Sequence, residues 1–432
     1  MNPFPKADEL TRRQFVSNAA RAYLGVHLFP MLGSTLASAA PGATVSGGKA
    51  KSVIYLFMSG GMSHLDTFDP KPKKKDVMGK TEVIATKADD VMVGHYLPQT
   101  AGIMDKVCVI NSMNSTQGAH EQGSYMMHTS YDMRGTIQHP SLGSWVLRLG
   151  GRNHPELPGF VAVNSPPNLT GGGFLGAKFS AAPVGSPDQG LQDSKRAGDV
   201  SPEDFTRRLT LADKMNRQFH GRYPNADVKA YEELYREAIA LMNSKDLKAF
   251  DLTLETQATR ELYGPGSFAQ GCLLARRLVE TGVRFVEVQL GGWDTHYDNF
   301  TGVAGRCKEF DQAYAALITD LTKSGRLDET LVVVATEFGR TPEIKAAHSD
   351  GRDHHPGAFS CVLAGGGIKG GTRHGTTDAS GSKVKDGIVS PQDFNATIAY
   401  ALGLPYETIL MSPTKRPFKL ADKGVPLTGL FG

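Results

Sequence analysis

From Ser52 the chain gives an unbroken apolar run, Val53-Ile54-Tyr55-Leu56-Phe57-Met58, that stops at Gly60-Gly61. A run of six without polar alternation suits a strand buried on both faces, as in a parallel sheet covered by helices. Residues 107–110, 283–290 and 331–335 read the same way. Between these runs the period changes. Over 228–242, Tyr231, Leu234, Tyr235, Ala238 and Leu241 recur at helical spacing. Ser267 reads as the cap of a helix through 279, stopped at Gly282. Further helices are expected over about 304–323, ending near Gly325, and from Ser390-Pro391 through Ile398 and Leu402. Strands alternating with helices of this length predict an α/β fold, a mostly parallel sheet with helices on both faces, joined by right-handed crossovers.

The first forty residues read as an address rather than structure. Arg12-Arg13 precede a moderately apolar stretch, 19–40, interrupted by Arg21, His27 and Pro30, which ends in Ala37-Ser38-Ala39. Paired arginines, an apolar segment and a small-x-small cleavage site, in that order, predict a twin-arginine signal peptide over 1–39 and a mature start at Ala40. A basic amphipathic helix is the plainer reading, but it does not explain the cleavage site. The expectation is delivery by the twin-arginine export machinery to the periplasm or the extracellular space. No other run approaches 18 apolar residues, so no stable membrane span is expected.

Composition narrows the class without naming it. The 432 residues carry 47 Lys+Arg against 44 Asp+Glu, a formal charge of +3 that is evenly spread, so no nucleic-acid footprint is expected. Glycine numbers 49, about 11% against a usual ~7%, and with 24 prolines points to many tight turns on a rigid scaffold. The expected organisation is one domain over 40–432, with a loop-rich insertion at about 165–227 where Gly, Pro and Ser concentrate. Cys108, Cys272, Cys307 and Cys361 allow three disulfide pairings, or can serve as small buried hydrophobes. No C-x-x-C spacing exists, so a thiolate zinc site is not expected.

Metal-capable side chains gather just past the predicted strand ends, where open α/β sheets bind ligands. His64, Asp66 and Asp69 follow the first strand. Asp294 and His296 follow the strand ending at Leu290, and Glu337 and Arg340 the strand ending at Ala335. Arg352, Asp353, His354 and His355 lie a little further on. Carboxylates and imidazoles without thiolate suit one or two divalent ions, Zn, Mn or Fe(II), with Ca or Mg where carboxylates dominate. Two ions about 3.5–4 Å apart would clamp an in-line displacement, and Arg340 and Arg352 could fork onto a tetrahedral anion. The structural alternatives are turn caps for Asp66 and Asp69, a salt bridge between Glu337 and Arg340, and packing for Trp293. Gly365-Gly366-Gly367-Ile368-Lys369-Gly370 satisfies G-x-G-x-x-G, but no helix pattern or acidic partner follows, so it reads as a turn.

The segments GGMSHLDTFDPKP (60–72), GGWDTH (291–296), EFGRTP (337–342), GRDHHPGAFSCVLAGGGIKGG (351–371) and HGTTDASG (374–381) resemble an uncharacterised family of bacterial, twin-arginine-exported, sulfatase-like proteins. That family is grouped with the alkaline phosphatase/sulfatase superfamily, and the similarity runs from about residue 50 to the C-terminus. The resemblance implies an α/β sandwich with metal ligands at strand carboxyl ends. It further implies hydrolysis of small sulfate or phosphate esters, or of sulfated or phosphorylated glycans. Asp294 and His296 match the superfamily pattern, whereas Glu337-Phe338 stands where phosphatases carry Asp-His. Sulfatases place Cys or Ser nine residues before a Thr-Gly; here His120 stands nine residues before Thr129. His120 is then a nucleophile, a general base or, the preferred role, a ligand replacing the imidazole lost at Phe338. Without a positioned hydroxyl or thiol, the second expectation is a non-catalytic exported protein that keeps the fold to bind anionic glycans.

Overall fold

The computed structural model describes residues 48–192, 194, 198–223 and 235–432, so the predicted signal peptide lies outside the described residues. In chain order the strands of the main sheet are β1 (Ser52–Met58), β2 (Val107–Met113), β3 (Phe160–Val163), β4 (Ala182–Val184), β5 (Phe285–Leu290), β6 (Thr330–Ala335), β7 (Phe359–Ala364) and β8 (Thr372–His374). The helices that cover or feed it are α1 (His120–Thr129), α2 (Leu142–Gly150), α3 (Pro202–Arg222), α4 (Ser267–Glu280), α5 (Asn299–Lys323) and α6 (Pro391–Ala401).

The sheet runs β8-β2-β7-β6-β1-β5-β3-β4. Only β7 runs antiparallel to its neighbours, β2 and β6; the other pairings are parallel. The central strand shows why. Every residue of β1 is buried, and its side chains alternate between two separate cores. Ile54, Leu56 and Met58 join α4 and α5 through Leu273, Phe310 and Leu317. Val53, Tyr55 and Phe57 join α1, α2 and α6 through Met127, Trp145 and Ile398. A strand between two helical layers needs apolar residues at odd and even positions alike, which is what an uninterrupted run supplies. Each fully buried Val, Leu or Phe contributes ~1.5–3 kcal/mol.

Several boundaries differ from expectation for identifiable reasons. The cap of α4 is Gly266, with Ser267 the first helical residue; the Ser267 hydroxyl accepts a hydrogen bond from Asn164 at 2.9 Å instead of capping. Helix α5 starts at Asn299 rather than near 304, because Gly302 and Gly305 interrupt the apolar period over turns held by buried Asn299, Phe300 and Val303. Helix α6 has the expected start, with Ser390 and Asp393 forming a capping box. Of the helix expected over 228–242, residues 235–242 are described and helical. Within 165–227, Ala182–Val184 forms the edge strand β4. The glycines after β7, Gly365, Gly366 and Gly367, all have positive φ and make a turn without a following helix. All four cysteines are free and buried. No helix among the described residues is long and apolar enough to cross a membrane.

Candidate metal centre

Three parallel-strand ends, one helix start and a two-residue ladder converge on a small cluster of imidazoles. After β1 the backbone turns at Gly60, after β5 comes Asp294, and after β6 comes Glu337. His120 is the first residue of α1, the helix that follows β2, and its N-cap residue Ala119 offers no side-chain cap. His354 comes from a two-residue antiparallel ladder in which it pairs with Arg340 and His355 pairs with Gly339. Successive strand residues point to opposite faces, so only one of the two adjacent histidines can enter the cluster. It is His354.

Donor atoms of His120, Asp294 and His354 all lie within 4.8 Å of one another. His120 Nε2 is 3.3 Å from Asp294 Oδ2, and His354 Nε2 is 3.4 Å from Asp294 Oδ1. His296 adjoins them, its Nε2 3.3 Å from Asp294 Oδ1 and 2.9 Å from His354 Nε2. Donors bonded tetrahedrally at ~2.0–2.1 Å stand about 3.3 Å apart, so these separations are those of ligands around one small cation. His120 Nε2 is shielded from solvent and has no hydrogen-bond partner, an orphan that a cation would satisfy. The donor set therefore fits a divalent ion of the Zn, Mn or Fe(II) type.

Each imidazole is held from behind by its other nitrogen. His120 Nδ1 donates to Glu337 Oε1 at 2.8 Å, His296 Nδ1 to Asp353 Oδ1 at 3.0 Å, and His354 Nδ1 to the Gly118 carbonyl at 2.8 Å. Such partners fix the tautomer and turn every Nε2 lone pair inward. The Glu337 hydrogen bond raises the His120 pKa, whereas burial lowers that of His354. Burial alone would raise the Asp294 carboxyl, but the Arg340 guanidinium outweighs it and holds the group below the usual carboxylate range. Asp353 is likewise held down by Lys345, which donates to Oδ2.

The other expected site residues are placed elsewhere. Asp66 is fully buried and engaged by Arg352, Ser63, Thr81 and Asn299. His64 is also fully buried, with Nε2 on the Gly381 carbonyl at 2.9 Å; desolvation lowers its pKa to about 3. His355 donates to the Ser382 carbonyl and stacks at 6.2 Å on His64, away from the three-residue cluster. Glu337 and Asp353 stand behind imidazoles. Neither arginine is exposed, so neither can fork onto a substrate anion as expected: Arg352 binds Asp66 and the carbonyls of Val77, Thr341 and Pro342. Arg340 binds Asp294 and the carbonyls of Gly60, Gly61 and Arg352. Sequence reasoning missed Gly118, whose contribution is a backbone carbonyl and carries no side-chain signal. Trp293 is buried packing.

Fold and site together define an α/β protein with a metal-competent histidine–aspartate cluster at the carboxyl ends of its central strands. The chain belongs to the family described as "Protein of unknown function (DUF1501)", whose model matches residues 50–431. No curated protein matches it. Among solved structures it is similar to the lipoteichoic acid synthase LtaP from Listeria monocytogenes, at 10% identity and a TM-score of 0.39, covering 90% of this chain and 78% of that one. It is similar also to the PsFucS1 sulfatase from Pseudoalteromonas sp., at 12% identity and a TM-score of 0.37, covering 91% and 73%. A protein in the alkaline phosphatase superfamily from Vibrio parahaemolyticus gives 10% identity and a TM-score of 0.40, covering 88% and 70%.

Proposed function

We propose that the protein is a metal-dependent hydrolase of small anionic esters, sulfate or phosphate esters including those on glycans, that works in the periplasm or outside the cell after twin-arginine export. The observation that carries the reading is the convergence of His120 Nε2, His354 Nε2 and the Asp294 carboxylate within 4.8 Å, from loops scattered over more than two hundred residues. His120, Asp294, His296 and His354 would hold the ion. When bound, it supplies Lewis-acid polarisation of the ester oxygen and a lowered pKa for water.

The chain's own groups do the rest. Glu337, Asp353 and the Gly118 carbonyl each accept a hydrogen bond from an imidazole Nδ1 and so aim the three Nε2 atoms at a common point. Arg340 fixes the Asp294 carboxylate, Nη2 to Oδ1 at 2.6 Å, and keeps it ionised. Among the described residues no hydroxyl or thiol hydrogen-bonds to His120, Asp294, His296 or His354. Water is therefore the attacking group in this reading, with no covalent enzyme intermediate. The test is turnover of a panel of aryl sulfates and phosphates by protein loaded with Zn or Mn, against a His354→Ala control. Metal-dependent release of the aryl alcohol, lost in the control, supports hydrolysis. Binding of sulfated or phosphorylated glycans without turnover would assign the non-catalytic role instead.

A further inference from the structure

Resting on the metal-centre reading, we infer that the centre takes one ion, and that the Arg340 guanidinium stands as a fixed cation where a second ion would sit. A second ion in a two-metal site lies about 3.5–4 Å from the first and shares a carboxylate with it. Here the shared carboxylate is Asp294. Its Oδ1 already meets Arg340 Nη2 at 2.6 Å, on a side chain with no solvent exposure. The guanidinium is clamped there by backbone alone: Nε donates to the Gly61 carbonyl at 3.0 Å, Nη1 to the Arg352 carbonyl at 3.1 Å, and Nη2 also to the Gly60 carbonyl. Guanidinium keeps its charge at any working pH.

The remaining donors that a second ion needs are committed elsewhere. Glu337 Oε1 accepts from the Gly60 N–H at 2.7 Å and from His120 Nδ1, and Oε2 from Thr336. Asp353 lies between His296 and Lys345. Phe338, fully buried, packs its ring 5.0 Å from that of His120 and 4.5 Å from that of His354. An apolar ring thus lines the side of the centre where another imidazole would be required.

The cage around Arg340 is instructive. Without the guanidinium, the carbonyls of Gly60, Gly61 and Arg352 and Asp294 Oδ1 would form an all-oxygen site of the kind hard cations prefer. Arg340→Gln should therefore gain what the wild type excludes. The experiment titrates full-length wild-type protein with Mn(II) at millimolar excess, and counts bound ions by calorimetry and elemental analysis after desalting. Electron paramagnetic resonance then looks for spin-coupled Mn pairs. One equivalent and no coupled pair is expected for the wild type, and a second, weaker equivalent for folded Arg340→Gln. Two equivalents in the wild type, or one in a folded Arg340→Gln, overturns the inference while leaving the hydrolase reading intact. Fewer than half an equivalent in the wild type overturns the metal reading itself. Should Arg340→Gln not fold, the wild-type count and spin signal still decide.

Discussion

Arg352 Nε lies 3.0 Å from Asp66 Oδ2, and neither side chain has any exposure to solvent. Two charges removed from water in this way are offset by each other and by polar neighbours, Asp66 by Ser63, Thr81 and Asn299, Arg352 by three carbonyls. Removing one partner strands the other. Asp66→Ala should lower stability by about 3–5 kcal/mol in urea unfolding. The same variant, where folded, should keep its metal equivalents. Loss of metal at unchanged stability would return Asp66 to the ligand set.

The adjacent histidines give a sharper contrast. His354→Ala removes one of the proposed ligands and should abolish tight metal binding, whereas His355→Ala removes only a bond to the Ser382 carbonyl. Calorimetric titration with Zn should show a change larger for His354→Ala than the ~10–100-fold that loss of an outer hydrogen-bonding partner costs. His355→Ala should bind as the wild type does. Equal losses in the two variants would mean that the ladder's alternation does not select the ligand.

That contrast also shows how far the sequence could be read. The central strands were visible because burial on both faces leaves a continuous apolar run, as in Ser52–Met58. The strand-end rule then pointed to Asp294, His296, Glu337 and His354 without any knowledge of side-chain direction. It also pointed to His64 and Asp66, which share the loop after β1 with Gly60. What separates them is the turn: His64 and Asp66 fold back under the loop into full burial, which spacing alone does not reveal. Choosing between His354 and His355 required the register of a ladder only two residues long. The arginines looked like anion clamps because a sequence shows charge but not the carbonyls around it.

Gly60 ties three parts of the centre together. Its N–H donates to Glu337, its carbonyl accepts from Arg340, and it sits at φ +116. A β-carbon there would stand 2.6 Å from the Asp294 amide nitrogen, in a backbone conformation that disfavours L side chains. Gly60→Ala should cost ~1–3 kcal/mol of strain and weaken metal binding, because the displaced loop carries Asp294. Thermal unfolding measured with and without Zn separates the two effects. A Zn-induced shift in melting temperature as large as that of the wild type would show that Asp294 had not moved.

Two buried histidines outside the three-residue cluster contribute to the response to acid. Burial holds His64 neutral, with a pKa lowered to about 3, and His139, against Tyr125, Tyr131 and Phe418, with one lowered to about 4. In the unfolded chain both titrate near 6.5. Below that pH the unfolded state takes up protons that the folded state refuses, so stability falls as pH drops, at ~1.4 kcal/mol per unit for a fully buried site. The loss runs from about 6.5 down to about 4 for His139 and about 3 for His64; above 6.5 neither contributes a slope. His64→Gln and His139→Gln should each flatten the fall of the urea midpoint between pH 6.5 and 4.5 relative to wild type, whatever their stability at pH 8. Parallel curves for wild type and both variants over that window would mean that these imidazoles are protonated in the folded protein, and that another group drives the acid response.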